Sequence, residues 1–206
     1  MNDPLKFTLF NIFRILLYAG FMILLSEAIL FDARNPTVTG KFGEVSMTEI
    51  LQEIFIFILG FIFIWTGRMD KRLTPVSNLI SVFFFMAFIR EFNNQIDFWF
   101  YLVLPLIFLF AWFIFRDRKK LIPAAAAFFQ LPSLAYLTAG FLVTFVFSRF
   151  FGRTILWEAI MENDYNRWAK NAAEEGTELL GYALFLIAGI EILVSLARKG
   201  KSAGRP

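Results

Sequence analysis

Long apolar runs dominate the sequence and limit the folds that it can adopt. The longest lie within residues 15–25, 54–65, 98–115 and 179–190. A helix needs about 20 predominantly apolar residues to cross a bilayer, because each residue adds about 1.5 Å across an apolar core of about 30 Å. A soluble chain of 206 residues would lack the amphipathic sequence needed to cover so many buried helices. The sequence therefore predicts an all-α, polytopic transmembrane helical bundle that forms a single integral membrane domain.

About six spans are expected from these runs. We assign them to residues 7–31, 49–66, 75–91, 98–115, 128–150 and 176–197. Pro132 is expected to divide the apolar stretch 121–151 into an interfacial or tilted piece and the main fifth span, with the assignment of 121–132 left open. Residues 154–173 carry aromatic and apolar side chains at spacings of three and four, which predicts an outer interfacial amphipathic helix before the last span. This segment is also the candidate contact with a partner membrane protein.

The lysines and arginines predict an orientation. Thirteen of the 20 flank the N-terminus, the connections at 67–75 and 116–120 and the C-terminal tail, and seven lie on the opposite flanks. The positive-inside rule then places both termini in the cytoplasm, as in a bacterial cytoplasmic membrane protein. The formal net charge of only +3 gives no support to a nucleic-acid partner. The apolar runs make the lipid bilayer the expected partner.

The sequence contains neither cysteine nor histidine. This excludes a disulfide framework, a Cys/His zinc site and catalytic triads that depend on histidine. No cofactor is evident, and no haem is expected. A hard divalent cation such as Ca²⁺, Mg²⁺ or Mn²⁺ is the metal class left open, because carboxylate oxygens are its preferred ligands.

Isolated acidic residues stand where several of the predicted spans begin or end, and the orientation places most of them at the outer surface. A carboxylate that faces lipid near the bilayer centre costs roughly 2.5–3.5 kcal/mol, which favours acids that face the bundle interior or one another. The candidate polar cluster consists of Glu27, Glu53, Arg90, Glu91 and Glu178. Secondary candidates are Asp97, Glu174, Glu175 and Tyr182. Arg90 is the expected counter-charge, and a bound divalent cation is the alternative.

Purely structural roles are the competing interpretation of these polar residues. The spacing of Ser46 and Glu49 predicts a capping box at the start of the second span. Glu174 and Glu175 suit the positive end of a helix dipole. A stripe of mostly small polar residues in the fifth span predicts a helix-packing face, formed by Ser133, Tyr136, Gly140, Thr144 and Ser148.

Three functions fit this pattern. The favoured one is a structural or accessory, partner-binding membrane protein with an outer-facing acidic cluster. The alternative is a transporter or channel for cations or protons that uses Glu27, Glu53, Glu178 and Arg90. A further alternative is an outer-leaflet lipid-modifying enzyme in which two carboxylates act as acid and base. Enzymatic activity is the less favoured interpretation, because no diagnostic catalytic spacing is present.

Overall fold

The computed structural model of the chain describes residues 4–37, 40–43 and 45–203, and these are almost entirely α-helical, with no β-strand among them. Runs of Leu, Ile and Phe form the first three helices, α1 Pro4–Arg34, α2 Met47–Met69 and α3 Thr74–Glu91. Pro75 lies in the first turn of α3, where its missing N–H costs no helical hydrogen bond. A 3₁₀ turn, Phe92–Asn94, follows α3.

The second half of the chain is helical as well. Its α-helices are α4 Trp99–Phe129, α5 Leu134–Leu142, α6 Ser148–Phe151, α7 Thr154–Met161 and α8 Arg167–Ala203. A π turn, Val143–Phe147, joins α5 to α6, so that residues 134–151 form one helical segment. A 3₁₀ turn, Glu162–Asp164, follows α7.

Five helical segments of the described chain are long and apolar enough to cross a membrane. They are Pro4–Arg34, Met47–Met69, Trp99–Phe129, Leu134–Phe151 and Arg167–Gly200. The predicted all-α bundle is therefore confirmed, and the five segments are compatible with an integral membrane protein. The third predicted span, 75–91, coincides with α3, which has 18 residues and is not one of the five. Six crossings thus stay a prediction.

The basic run at residues 116–120 is helical, whereas the sequence predicted a connection between spans. α4 continues through this run to Phe129. Lysine and arginine are good helix formers, and a helix can extend beyond the stretch that the bilayer requires. α4 is therefore longer than the predicted fourth span, 98–115. The next helix starts at Leu134, later than the predicted fifth span, 128–150, and after the break that Pro132 was expected to cause. The bounds of both spans stay predictions.

Residues 154–173 do not form a single helix, so the prediction of one amphipathic helix there was wrong. α7 ends at Met161, and Glu162 adopts φ 50° and ψ −119°, a conformation that a right-handed helix cannot continue through. A new helix then begins at Arg167, where Asn166 Oδ1 accepts a hydrogen bond of 2.8 Å from the Trp168 N–H. The last helix accordingly begins nine residues before the predicted 176.

The chain forms two compact units. Unit 1 consists of Met1–Leu51 and Val143–Ala183, and unit 2 consists of Gln52–Leu142 and Leu184–Pro206. In unit 1, Ile29 of α1 packs against Gly176 of α8, with 3.1 Å between the isoleucine Cδ1 and the position of a glycine Cβ. Gly40 lies directly under the Trp168 ring and has a φ of 107°, which explains why glycine is required there. The predicted single membrane domain stays a prediction.

Phenylalanine rings form the core of unit 2. Phe63 of α2 stacks on Phe84 of α3 with 5.8 Å between ring centroids, and it contacts Phe128 of α4 at 6.3 Å. Phe84 also meets Phe185 of α8 edge to face at 5.6 Å. Such aromatic pairs stabilise a fold by about 0.5–1.5 kcal/mol beyond the burial of their area. The aromatic residues therefore hold α2, α3, α4 and the second half of α8 together.

Candidate functional site

The five residues of the predicted polar cluster belong to both units. Glu27 on α1 and Glu178 on α8 lie in unit 1. Glu53 on α2, together with Arg90 and Glu91 at the end of α3, lies in unit 2. The convergence of all five on one site stays a prediction.

Glu53, Arg90 and Glu91 form a small charged group in unit 2. Arg90 Nη2 donates a hydrogen bond of 2.8 Å to Glu91 Oε1, which makes the two neighbours an ion pair. Glu53 is half-buried, and its carboxylate is close enough to that of Glu91 for the two to repel each other. The Arg90 side chain is 54% exposed, so this pair lies at the surface of the unit. Water weakens such a pair, and its contribution to stability is small.

Glu178 forms an ion pair with Arg149, a cation that was not among the predicted site residues. Arg149 Nη2 lies 2.7 Å from Glu178 Oε1, and the Ser148 hydroxyl donates to the same oxygen at 3.2 Å. The Glu178 side chain is only 12% exposed, whereas that of Arg149 is 53% exposed. The half-buried carboxylate is thus neutralised by an arginine whose own side chain is mostly exposed.

Glu174 joins Arg149 to a second cation. Lys170 Nζ donates to Glu174 Oε2 at 2.9 Å, and Arg149 Nη1 lies 3.8 Å from Glu174 Oε1. Lys170 and Glu174 are one helical turn apart, so this pair was visible in the sequence as an i,i+4 spacing. Arg149 was not, because it lies on a different helix. We call the four residues Arg149, Lys170, Glu174 and Glu178 the ion-pair network.

Close backbone approach allows the ion-pair network to form. The Glu174 carboxylate lies where a side chain on Gly152 would be, and Thr144 Oγ1 lies where one on Gly181 would be. Thr144 belongs to the π turn and is fully buried, and its hydroxyl has no hydrogen-bond partner among the described residues. Small residues at these points therefore bring the segment 143–152 against α8, as membrane helices commonly do.

The predicted packing stripe of the fifth span is confirmed at most of its positions. Ser133, Gly140, Thr144 and Ser148 are buried, and Tyr136 is half-buried. The single hydroxyl proton of Ser148 is shared between the Thr144 carbonyl at 2.5 Å and Glu178 Oε1 at 3.2 Å. This stripe is thus both a packing face and the support for one carboxylate of the ion-pair network.

The remaining candidates have differing surroundings. Glu27 is exposed on α1, and Asp97 is exposed in the turn before α4. Tyr182 is buried, with 4% of its surface exposed. Glu175 is half-buried and lines a cavity of about 290 Å³ in unit 1.

This cavity of unit 1 has a largely polar lining. Its side chains are Phe42, Ser46, Glu49, Arg167, Trp168, Asn171 and Glu175. Two carboxylates against one guanidinium leave the lining with a net negative charge. The cavity volume is close to the lower end of the range for small-ligand pockets, roughly 300–1,000 Å³. Chemically, it suits a small cation or an ammonium group beside the indole ring.

Asp32 is a buried acid that was not among the predicted site residues, because it follows the first predicted span, 7–31. It lies in the last turn of α1 and is 2% exposed. Its carboxylate accepts hydrogen bonds from the Met47 N–H at 2.7 Å, the Thr48 N–H at 2.8 Å and the Thr48 hydroxyl at 2.7 Å. Asp32 thus caps the N-terminus of α2 from another helix, where negative charge is favoured.

Glu49 occupies the predicted capping box in a slightly shifted form. The Glu49 N–H donates to Ser46 Oγ at 3.3 Å, as the motif requires. Its carboxylate accepts from the Val45 N–H at 2.6 Å, one residue before the N-cap. The structural interpretation of Glu49 is therefore confirmed.

Within residues 4–37, 40–43 and 45–203, no three Asp or Glu side chains are grouped as metal ligands. The carboxylates of Asp32 and Glu49 accept hydrogen bonds from backbone N–H groups, and those of Glu91, Glu174 and Glu178 pair with arginine or lysine. A comparison of the chain with protein-family models, curated proteins and solved structures finds no match.

Proposed function

We propose that this chain is a multi-pass integral membrane protein with a structural or accessory role, which it performs by binding a partner membrane protein. The observation that carries this proposal is the Arg149–Glu178 ion pair of 2.7 Å. Glu178 is one of the acids that the alternative function, cation or proton handling, would use. A carboxylate that an arginine already neutralises is suited to fixing the position of α8, since an unpaired buried charge would be costly.

Membrane location is supported by the composition of the helix surfaces. α1 buries one face but exposes apolar side chains over most of its circumference, among them Phe7, Phe13, Ile15, Leu16 and Leu24. A single exposed apolar residue is ordinary, but a whole helix of them requires lipid or protein around it. The distribution of basic residues further favours a bacterial cytoplasmic membrane with both termini inside.

The partner contact is proposed on α7. Ile155 and Ile160 on this helix are 79% and 63% exposed. Trp157 of the same helix is held inward, because its Nε1–H donates to the Phe151 carbonyl at 2.5 Å. The isoleucines, rather than the tryptophan, are therefore the proposed contact residues. The 3₁₀ turn Glu162–Asp164 follows α7, and α8 begins at Arg167.

Co-purification tests this function. Membranes are solubilised in a mild detergent, and the full chain is purified and weighed by native mass spectrometry. We expect a membrane protein to remain bound to the wild type in a stoichiometric amount. The variant I155S/I160S should lose this partner. E158S, which changes an exposed residue of the same helix and serves as the control, should retain it. A monomer that carries no second protein in either variant or the wild type would contradict the proposal.

A second candidate function is cation binding or transport at the outer surface, and it is favoured by one observation. The cavity beside Trp168 is lined by the carboxylates of Glu49 and Glu175 with a net negative charge. Proteoliposomes that contain a pH-sensitive dye, and in parallel ones that contain a cation-sensitive dye, separate the two candidates. A structural protein gives the flux of protein-free liposomes, whereas a transporter gives a faster flux that the variant E175Q reduces.

A further inference from the structure

A second cavity, also of about 290 Å³, lies in unit 2 between the start of α3 and the distal part of α4. Four cations surround it, Lys71 and Arg72 from the α2–α3 connection and Lys119 and Lys120 from α4. Its apolar wall includes Pro75 and Ala124, and both are buried. The cavity therefore combines a positively charged rim with an apolar floor.

Three of these cations lack a counter-charge. Lys71, Lys119 and Lys120 form no ion pair with any residue that the structure describes. Arg72 is different, because Nε and Nη2 donate to the two oxygens of Asp70 at 3.1 Å and 2.8 Å. One carboxylate against four cations leaves a net positive charge around the cavity. Like charges held this close repel one another, and a bound anion would relieve that repulsion.

The helical extension of α4 creates this arrangement. Because α4 continues past Phe115, its next turns include Lys119 and Lys120, which line the cavity. Pro123 and Ala124 lie one turn further along α4 and line the cavity as well. The rim lies just beyond the apolar run 98–115 of α4, on the side predicted to be cytoplasmic. Lipid phosphates of the cytoplasmic leaflet lie at that depth.

We propose that this cavity binds the phosphate headgroup of an anionic phospholipid of the cytoplasmic leaflet. The lysines hold the phosphate, and the wall formed by Pro75 and Ala124 contacts the glycerol and the first part of the acyl chains. The apolar wall favours a lipid over free phosphate, which would gain nothing from it. This inference rests on the proposed membrane location.

The test uses the purified full-length protein in an uncharged detergent. The protein is titrated with short-chain phosphatidylglycerol, and binding is followed by the shift of its thermal unfolding temperature. Parallel titrations use short-chain phosphatidylcholine and inorganic phosphate. We expect the anionic lipid to raise the unfolding temperature in a salt-sensitive manner, and the other two compounds to have little effect at the same concentration.

Variants locate the binding. A charge-assisted contact to a phosphate contributes roughly a tenfold change in affinity or more, so K71Q should weaken binding by about tenfold and K119Q/K120Q by more. Arg118→Gln is the matched control, because Arg118 lies in the same basic run but does not line the cavity. Its affinity should stay within about twofold of the wild type, since only general surface charge is removed.

Three results would overturn the inference. They are equal binding by the wild type and K119Q/K120Q, equal losses in K119Q/K120Q and Arg118→Gln, and a response to inorganic phosphate as strong as the response to the lipid. The membrane location is checked separately, by whether the protein stays in the membrane fraction after a carbonate wash. Failure there would overturn the proposed function, whereas failure of the titration alone would overturn only the lipid site.

Discussion

Asp32 and Thr48 are 16 residues apart in the sequence and share two hydrogen bonds in the interior of unit 1. The Asp32 carboxylate accepts from both the backbone N–H and the hydroxyl of Thr48, at 2.8 Å and 2.7 Å. It also accepts from the Met47 N–H at 2.7 Å. One buried carboxylate therefore satisfies donors of the first turn of α2 and joins that turn to the end of α1.

Removing this carboxylate should destabilise the protein. The variant D32A leaves the buried Thr48 N–H and the part-buried Met47 N–H without an acceptor, and we expect a loss of about 2 kcal/mol or more in the free energy of unfolding. Unfolding in mild detergent, followed by circular dichroism, measures it. D97A is the control, because Asp97 is exposed, and its effect should stay within about 0.5 kcal/mol. Equal effects of the two substitutions would contradict the capping role.

Gly181 should tolerate no side chain. An added Cβ would overlap Thr144 Oγ1 and would lie 3.0 Å from the Thr144 backbone nitrogen, so relief would require movement of the helix. We expect G181A to cost about 1–3 kcal/mol. Gly20 lies on α1 with nothing within 4 Å of the added atom, and G20A should be neutral or slightly stabilising. Thermal unfolding of both variants checks this; a neutral G181A would mean that the helices do not approach as closely as described.

The Asp70–Arg72 pair should give the protein a contribution to stability that depends on pH. Hydrogen bonds from the Arg72 guanidinium lower the pKa of Asp70 below its ordinary value. The contribution is therefore present above the unfolded-state pKa, about 3.9, and is lost as the pH falls through the lower folded-state value. D70N should remove this part of the acid sensitivity. The unfolding temperature of both proteins between neutral and acidic pH measures it, and parallel curves would contradict the prediction.

The predicted orientation can be mapped directly, because the chain contains no cysteine. In intact cells, K120C should resist a maleimide that cannot cross membranes, and E158C should react with it. Both positions should react once the membrane is permeabilised, which serves as the control. Labelling of both positions from outside the cell would show that the predicted topology is wrong.

Most of the helical architecture could be predicted from apolar run length, since run length directly limits what a helix can bury. Helix boundaries were less predictable where charged residues favour a helix as well as a loop. The basic run after Phe115 extends α4, because arginine and lysine are helix formers. The break at Glu162 could not be predicted, because a positive φ at a single glutamate leaves no periodic signal in the sequence.

The polar contacts were harder to predict than the helices. Lys170 and Glu174 follow an i,i+4 rule that one helix determines by itself. The pairing of Arg149 with Glu178, and of Asp32 with Thr48, depends on how separate helices are placed against each other. Charge alone suggested Arg90 as the counter-charge of the acids, but its described ion pair is with its neighbour Glu91.

The most direct test of the structural role of the acids is a double-mutant cycle on Arg149 and Glu178. The free energy of unfolding in detergent is measured for the wild type, R149Q, E178Q and R149Q/E178Q. Because the carboxylate is largely buried beside its arginine, we predict that the double variant is more stable than the sum of the single losses implies, with a coupling energy of about 1 kcal/mol or more. Additive losses with no coupling would contradict the account, because Glu178 would then be free for another role.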